Sequence, residues 1–271
     1  MTVREILFAF LLLFSCCTGI VHGEEYIVAK GETALQIAID HNLTMEQLQQ
    51  LNPGADLEMM QIGDKLIVPD EDTPNFDDFL NKRYSELIQI TDQNCSQSSG
   101  LNTICLFHLE NLSDQSLFDV HFTGNARGTA GNAAQAEGTI PLMQILPGEK
   151  LPVFLAIPER ISDPGAISLK VSNLTYSDLA QESFRVAENL CTAKTEFSPD
   201  EIAAKETILF TEASVSTLTG KKINVLASAY NTNGQLVGVR SLYSDFYPQL
   251  HLTVYSIGPT ITKIDVRIEA Y

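Results

Sequence analysis

Apolar and polar positions change their period along the chain. Tyr26 to Val28 suits a short strand, and Gly31 suits the turn that follows. Two helical stretches come next, each opened by a threonine with a glutamine three residues on: Thr33-Ala34-Leu35-Gln36 and Thr44-Met45-Glu46-Gln47. In such a capping box the hydroxyl and the amide satisfy orphan N–H groups at the helix start. Ala34, Ile37, Ala38 and His41 share one face of the first helix; Met45, Leu48 and Leu51 share one face of the second, which stops at Asn52-Pro53-Gly54. Lys65-Leu66-Ile67-Val68-Pro69 reads as a closing strand. The order predicted is strand, helix, helix, strand: a small α+β (βααβ) unit over residues 24–70.

The stretch "DEDTPNFDD" is acidic and carries proline, so residues 71–87 read as an acidic linker and a short helix through Asn81 and Leu87. From there the period becomes two. Cys105, Phe107 and Leu109 alternate with polar or exposed positions, as do Phe118, Val120 and Phe122; Leu151, Val153, Leu155 and Ile157 follow "LPGEK", and Ile167, Leu169 and Val171 follow "DPG". Between them "TGNARGTAGNAAQAEGT" reads as a loop of small residues. A second series runs through Ile223, Val225, Ala227 and Ala229, then Leu236 to Leu242 after an Asn233-Gly234 turn, then Leu250, Leu252 and Val254. In the last strand Ile264, Val266 and Ile268 alternate with Lys263, Asp265, Arg267 and Glu269, which places charge on the opposite face. The fold class expected is therefore the βααβ module followed by an all-β region of two antiparallel β-sandwiches. Residues 88–192 form the first, 193–205 a linker and 206–271 the second, with one larger sandwich from about residue 86 as the alternative.

The stretch from Tyr26 to Pro69 resembles the LysM family of small carbohydrate-binding modules. The matching elements are "Y-I-V", "G-E-T", "I-A" at Ile37 and Ala38, "L-x-x-L-N-P" from Leu48 to Pro53, and "I-G-D-K-L-I-V-P". The resemblance implies the βααβ fold and binding of a polymer that contains N-acetylglucosamine, either peptidoglycan or chitin. It places a groove between the loop Gly31, Glu32, Thr33 and Ala34 and the facing loop Leu57, Glu58, Met59, Met60, Gln61 and Ile62, with Met59, Met60 and Ile62 as an apolar wall. The chain departs from the family at Glu32, where aspartate is usual, and at Ala34, where a larger apolar residue is usual. An N-acetylhexosamine is neutral; its acetamide carbonyl needs donors and its methyl needs a small apolar patch, which backbone amides beside aliphatic side chains supply. The β region is distantly similar to immunoglobulin-like extracellular repeats, on period and turn spacing alone.

Composition narrows the partners. The chain has 271 residues, 44% hydrophobic and 19% charged, enough for several modest cores. A formal net charge of -17 repels phosphate backbones and anionic lipid, so neither nucleic acid nor a membrane surface is an expected partner. The absence of tryptophan removes the strongest stacking platform for a sugar. A protein partner on the sandwiches remains open, with Tyr243, Tyr247 and Tyr255 either an exposed patch or packed against a strand. No cofactor is expected.

Residues 1–23 read as a signal sequence, with Arg4 ahead of an apolar run from Ile6 to Phe14. Two processing routes stand: a lipobox, Leu13-Phe14-Ser15-Cys16, with lipidation at Cys16, or ordinary cleavage after the small residues near Gly23. Either gives an extracellular or cell-surface protein, and a membrane is touched only through a lipid anchor or an uncleaved leader. Of five cysteines, Cys16 and Cys17 lie in the leader; Cys95 with Cys105 would close a polar loop, leaving Cys191 as a buried thiol. The sequons at Asn42, Asn94, Asn111 and Asn173 matter only in a eukaryotic secretory pathway.

The chain reads as a non-catalytic wall-binding protein. Its rival is a cell-wall hydrolase or peptidase with an unrecognised catalytic β-domain. Cysteine chemistry would need Cys105 with His108 or Cys191 with His251. The first pair falls on opposite strand faces; the second stays open. His121 and His251 otherwise read as strand-surface residues. No H-E-x-x-H or G-x-S-x-G occurs, and "GNARGTAG" lacks the Lys-Ser/Thr end of a phosphate loop.

Overall fold

The structure is a computed structural model that describes residues 23–69, 76–97, 102–176, 184–186 and 190–271. The leader, including Cys16, lies outside the described residues, as does the start of the acidic stretch. The N-terminal unit comprises β1 (Gly23–Ile27), α1 (Ala34–Asp40), α2 (Met45–Leu51) and β2 (Lys65–Pro69). The two strands are antiparallel, with Tyr26 opposite Leu66. Thr44 and Gln47 complete the capping box of α2. At α1 only half is made: Thr33 accepts from the Gln36 amide N–H, but the Gln36 side chain turns one turn along to donate to Asp40 at 2.8 Å. Ile37, Ala38, Leu48, Leu51, Leu66 and Val68 are buried between helices and strands. Asn52 of the Leu-Asn-Pro run clips this core shut. Its side-chain amide donates to the Leu48 and Ile67 carbonyls, and its oxygen accepts from the Ile67 N–H at 2.6 Å.

The short helix expected after the linker is α3 (Phe76–Leu87), and it joins two bodies rather than spacing them. Phe79, Leu80 and Tyr84 are buried, and they belong to one hydrophobic cluster that runs from Val28 and Ile37 in the N-terminal unit to Phe107 and Leu155 in the first sandwich. The first sandwich contains β3 (Ile88–Gln97), β4 (Thr103–Asn111), β5 (Leu117–Arg127), β6 (Ala133–Thr139), β7 (Gln144–Ile145), β8 (Lys150–Ile157) and β9 (Ser168–Tyr176). One sheet runs β3-β4-β8. In the other, β5 is the hub, with β9 along one edge and β6 and β7 along the other. Phe107 and Phe122 meet edge to face at 5.2 Å between the sheets. A disulfide joins Cys95 and Cys105, which face each other across β3 and β4.

The small-residue segment expected as a loop is instead a β5–β6 hairpin. Two of its glycines are required because bulky core groups lie over the backbone. A Cβ at Gly124 would stand 2.4 Å from Leu155 Cδ2, and one at Gly138 2.5 Å from Phe122 Cε2.

The second sandwich contains β10 (Phe184–Arg185), β11 (Cys191–Phe197), β12 (Ala203–Phe210), α4 (Glu212–Leu218), β13 (Lys222–Tyr230), β14 (Leu236–Asp245), β15 (Gln249–Tyr255) and β16 (Lys263–Ala270). Its sheets run β10-β16-β13-β14 and β11-β12-β15, and they enclose a core of their own. Residues 184–185 and 191–197, expected in the first sandwich and the linker, pair with this second set, and 203–205 begin β12 rather than linking. The alternation that would have announced β12 is broken because Glu206 occupies an inward position between Ala204 and Ile208 and is fully buried.

The sandwiches are joined by polar contacts. Glu269, expected on a charged outer face of β16, has no exposure: it accepts from the Met143 N–H and lies near Arg185. Glu149 in turn pairs with Arg185 at 2.9 Å and Arg267 at 3.1 Å. His108 and Leu106, on the outward face of β4, are also buried, because β14 packs against that sheet. His108 lies 3.2 Å from Asp92 and 3.3 Å from the Tyr230 hydroxyl.

Candidate functional site

Two loops at one end of the N-terminal unit carry the residues singled out from sequence. Gly31 turns the chain between β1 and α1 with φ +92, a left-handed value that a side chain would strain. Glu32 then folds back. Its carboxylate accepts from the Tyr26 hydroxyl at 2.5 Å and from the Ala29 N–H at 2.8 Å, so the longer side chain at this position fastens the loop to β1. These bonds, Tyr26 first and Ala29 second, hold the carboxyl below its ordinary pKa, and the bond to Glu32 raises the pKa of Tyr26. Thr33 caps α1.

The second loop is pinned beside β1 through Val28, whose N–H donates to Asp64 and whose carbonyl accepts from Gly63, both at 2.9 Å. Asp56 accepts from the Glu58 and Met59 amides, and Asp64 accepts from the Gln61 amide at 2.7 Å. Met59 is 74% exposed and Ile62 67% exposed, while Met60 is half-buried against the core. Glu58 and Gln61 are exposed. Ala34 and Leu57 are buried, at 5% and 7% exposure, so they support the loops from beneath rather than offering side chains to a ligand.

The backbone completes the arrangement. The N–H groups of Gly31 and Thr33 on one loop, and of Met60 and Ile62 on the other, make no hydrogen bond among the described residues. Donors without a partner among the described residues therefore share these two loops with an exposed thioether and an exposed aliphatic side chain. Sequence reasoning missed the Tyr26–Glu32 clamp; its signal was an aromatic and a carboxylate on either side of a glycine turn.

Elsewhere the catalytic candidates separate. Cys105 is held in the disulfide. Cys191 lies opposite Phe210, whereas His251 lies opposite Thr207, whose other neighbour is Lys194, so thiol and imidazole occupy different rungs of the sheet. His251 bonds Thr207 at 3.0 Å and His121 bonds Asp119 at 2.9 Å, both near the surface. Among the described residues no cluster of His, Cys, Asp and Glu gathers to hold a metal, and no helix is long and apolar enough to cross a membrane. Tyr243, Tyr247 and Tyr255 are exposed, Tyr243 stacking on Tyr271 at 6.0 Å. Of the sequons, Asn111 is fully buried and bonded to the Gln115 and Ile145 carbonyls.

Residues 26–69 match the LysM domain family model, the same span that the sequence motifs delimit. No curated protein matches the chain. Among solved structures, the crystal structure of red sea bream transglutaminase is similar at 8% identity and a TM-score of 0.22, covering 73% of this chain. The alignment spans 32% of that chain, and a likeness this slight carries no assignment of fold or activity.

Proposed function

We propose that the protein is an exported, non-catalytic glycan-binding protein whose LysM domain docks on an N-acetylglucosamine-containing polymer, peptidoglycan or chitin. The observation that carries this reading is the pairing of unbonded amides at Gly31, Thr33, Met60 and Ile62 with the exposed side chains of Met59 and Ile62. The amides donate to the acetamide carbonyl, and the thioether and aliphatic carbons take its methyl. A neutral ligand is compatible with a chain of net charge -17. One shallow module without tryptophan binds weakly, so retention depends on a repeating polymer or on tethering, either of which raises the effective concentration.

The sandwiches serve as the spacer. The continuous core through Phe79, Leu80 and Tyr84 supports a fixed orientation of the module on the first sandwich. Export through the N-terminal signal sequence, with either lipidation at Cys16 or ordinary cleavage, places the protein at the cell surface or outside the cell.

Co-sedimentation of the mature protein with insoluble peptidoglycan and with chitin tests the proposal. Retention on one of them, lost in a Met59→Ser/Ile62→Ser variant and unaccompanied by release of soluble sugars or muropeptides, is the expected result. Sustained release that disappears in Cys191→Ala would support the hydrolase instead.

A further inference from the structure

A second concave surface lies away from the LysM domain, in the crease between the two sandwiches. It encloses about 570 Å³, within the range that holds a small molecule. Its floor is the outward face of the β3-β4-β8 sheet, where Leu106 and Phe154 face each other in register. One wall is the edge strand β14 at Val239 and Arg240; the other is formed by Ile202 and Tyr255. Phe154 is 44%, Ile202 45% and Tyr255 69% exposed, so three large apolar side chains converge on one opening. A soluble surface does not gather such groups without cost, and their convergence around a cavity marks a place where apolar matter is received.

The charge of the lining sets the polarity of the guest. The chain carries 34 acidic residues against 17 basic ones, yet among the described residues Arg240 is the one charged residue that lines this cleft. Apart from the pairing of its backbone in the sheet, the Arg240 side chain makes no ion pair or hydrogen bond with any described residue. A single guanidinium, with no second cation beside it, suits one carboxylate rather than a phosphate. We infer that the cleft between the sandwiches is a binding site for a small amphipathic carboxylate. The apolar chain or ring lies over Leu106, Phe154 and Tyr255, and the carboxylate meets Arg240. Ser96, Ser241, Thr253 and Ser256 supply hydroxyls around the rim. The inference is independent of glycan recognition, since no residue of the LysM domain takes part.

Calorimetric titration of the full mature chain tests it, with octanoate, decanoate, octan-1-ol and octylamine as probes, each below its micelle-forming concentration. Saturable one-to-one binding of decanoate is expected, roughly tenfold tighter than octanoate for two added methylenes. Octan-1-ol and octylamine are expected to bind about tenfold more weakly than octanoate, for loss of the charged hydrogen bonds. Arg240→Gln, at an exposed position, should erase the preference for carboxylate over alcohol without changing the melting temperature. Phe154→Ser should weaken carboxylate and alcohol alike. The proposal is overturned by no saturable binding of decanoate, by equal affinity for octanoate and octylamine, or by octanoate binding that Arg240→Gln leaves untouched.

Discussion

Arg83 reaches from α3 to the last turn of α2, where its Nη1 donates to the carbonyl of Leu51 at 2.8 Å. Both residues are buried, and the bond joins the LysM domain to the helix that carries it onto the first sandwich. Arg83→Ala leaves a buried carbonyl without this donor and removes the packing of the aliphatic stem. It is expected to destabilise by about 1–3 kcal/mol. Denaturant unfolding measures the loss, and limited proteolysis should show earlier cleavage between the LysM domain and the first sandwich. An unchanged midpoint and unchanged cleavage would mean that the helix holds the two bodies without this bond.

The Asn52 side chain serves one backbone donor and two backbone acceptors at once, bridging α2 and β2. Asn52→Ala is therefore expected to cost about 2–3 kcal/mol, because it strands the partly buried N–H and carbonyl of Ile67, while the Leu48 carbonyl keeps the Asn52 N–H. Asn52→Asp should be nearly as damaging, since a carboxylate cannot donate to either carbonyl. Amide hydrogen exchange at Ile67 reports the loss locally, and a variant in which that amide stays protected would contradict the role assigned to the side chain.

The pH dependence of stability has a sign set by Glu206 and Glu269. Burial raises the pKa of each. Each carboxyl therefore binds its proton more tightly folded than unfolded. Its contribution is complete below the unfolded pKa of about 4.3 and is lost as pH rises through the folded value. Glu206 is the cleaner case: both carboxyl oxygens are buried beyond hydrogen-bond distance of a partner among the described residues, and burial outweighs the opposing influence of Thr195, opposite on β11. Glu206→Leu is expected to stabilise the second sandwich by about 1–3 kcal/mol at pH 8, with a smaller gain at pH 5. Urea melts at the two pH values check this. A gain that is larger at pH 5 would reverse the sign. Glu32 works the other way, since its lowered pKa gives stability that is present at neutral pH and lost on acidification.

The Cys95–Cys105 disulfide ties neighbouring strands over a sequence separation of 10. A loop of that length constrains the unfolded chain by about 3 kcal/mol. Cys95→Ser/Cys105→Ser should lower the unfolding free energy of the first sandwich by that order. Addition of reductant to the wild type should lower it similarly, and a Cys191→Ser control should respond to reductant as the wild type does. Stability indifferent to reductant would show that the bridge does not constrain the chain.

The LysM domain was legible because its signals are local: helix periods of a turn or two, threonine caps and a stop at Asn52-Pro53. The capping box at Thr33 was only half right, because Asp40 competes for the Gln36 amide. Long-range features were harder to read. β11 shows little alternation because it is an edge strand with an exposed face, and β12 hides its own behind Glu206. The alternating charges of β16 correctly marked a strand, yet alternation does not reveal what covers a face, and Glu269 turned out to be buried against the first sandwich. His108 was obscured for the same reason. In the candidate site, the turn at Gly31 was readable from the glycine itself, and Met59 and Ile62 came only from the family resemblance, which names a groove wall without giving its exposure. The burial of Ala34 was already implied by its place on the apolar face of α1, whereas that of Leu57 was not, because the packing beneath a loop depends on residues distant in sequence.

The most direct test of the central claim is an amide NMR titration of the full mature chain with chito-oligosaccharides and, separately, with peptidoglycan-derived muro-oligosaccharides. Saturable shifts confined to Gly31–Ala34 and Leu57–Ile62, with at least one of the two ligand series, are the predicted result. Shifts absent from both loops with both series, or centred on the sandwiches instead, would contradict it.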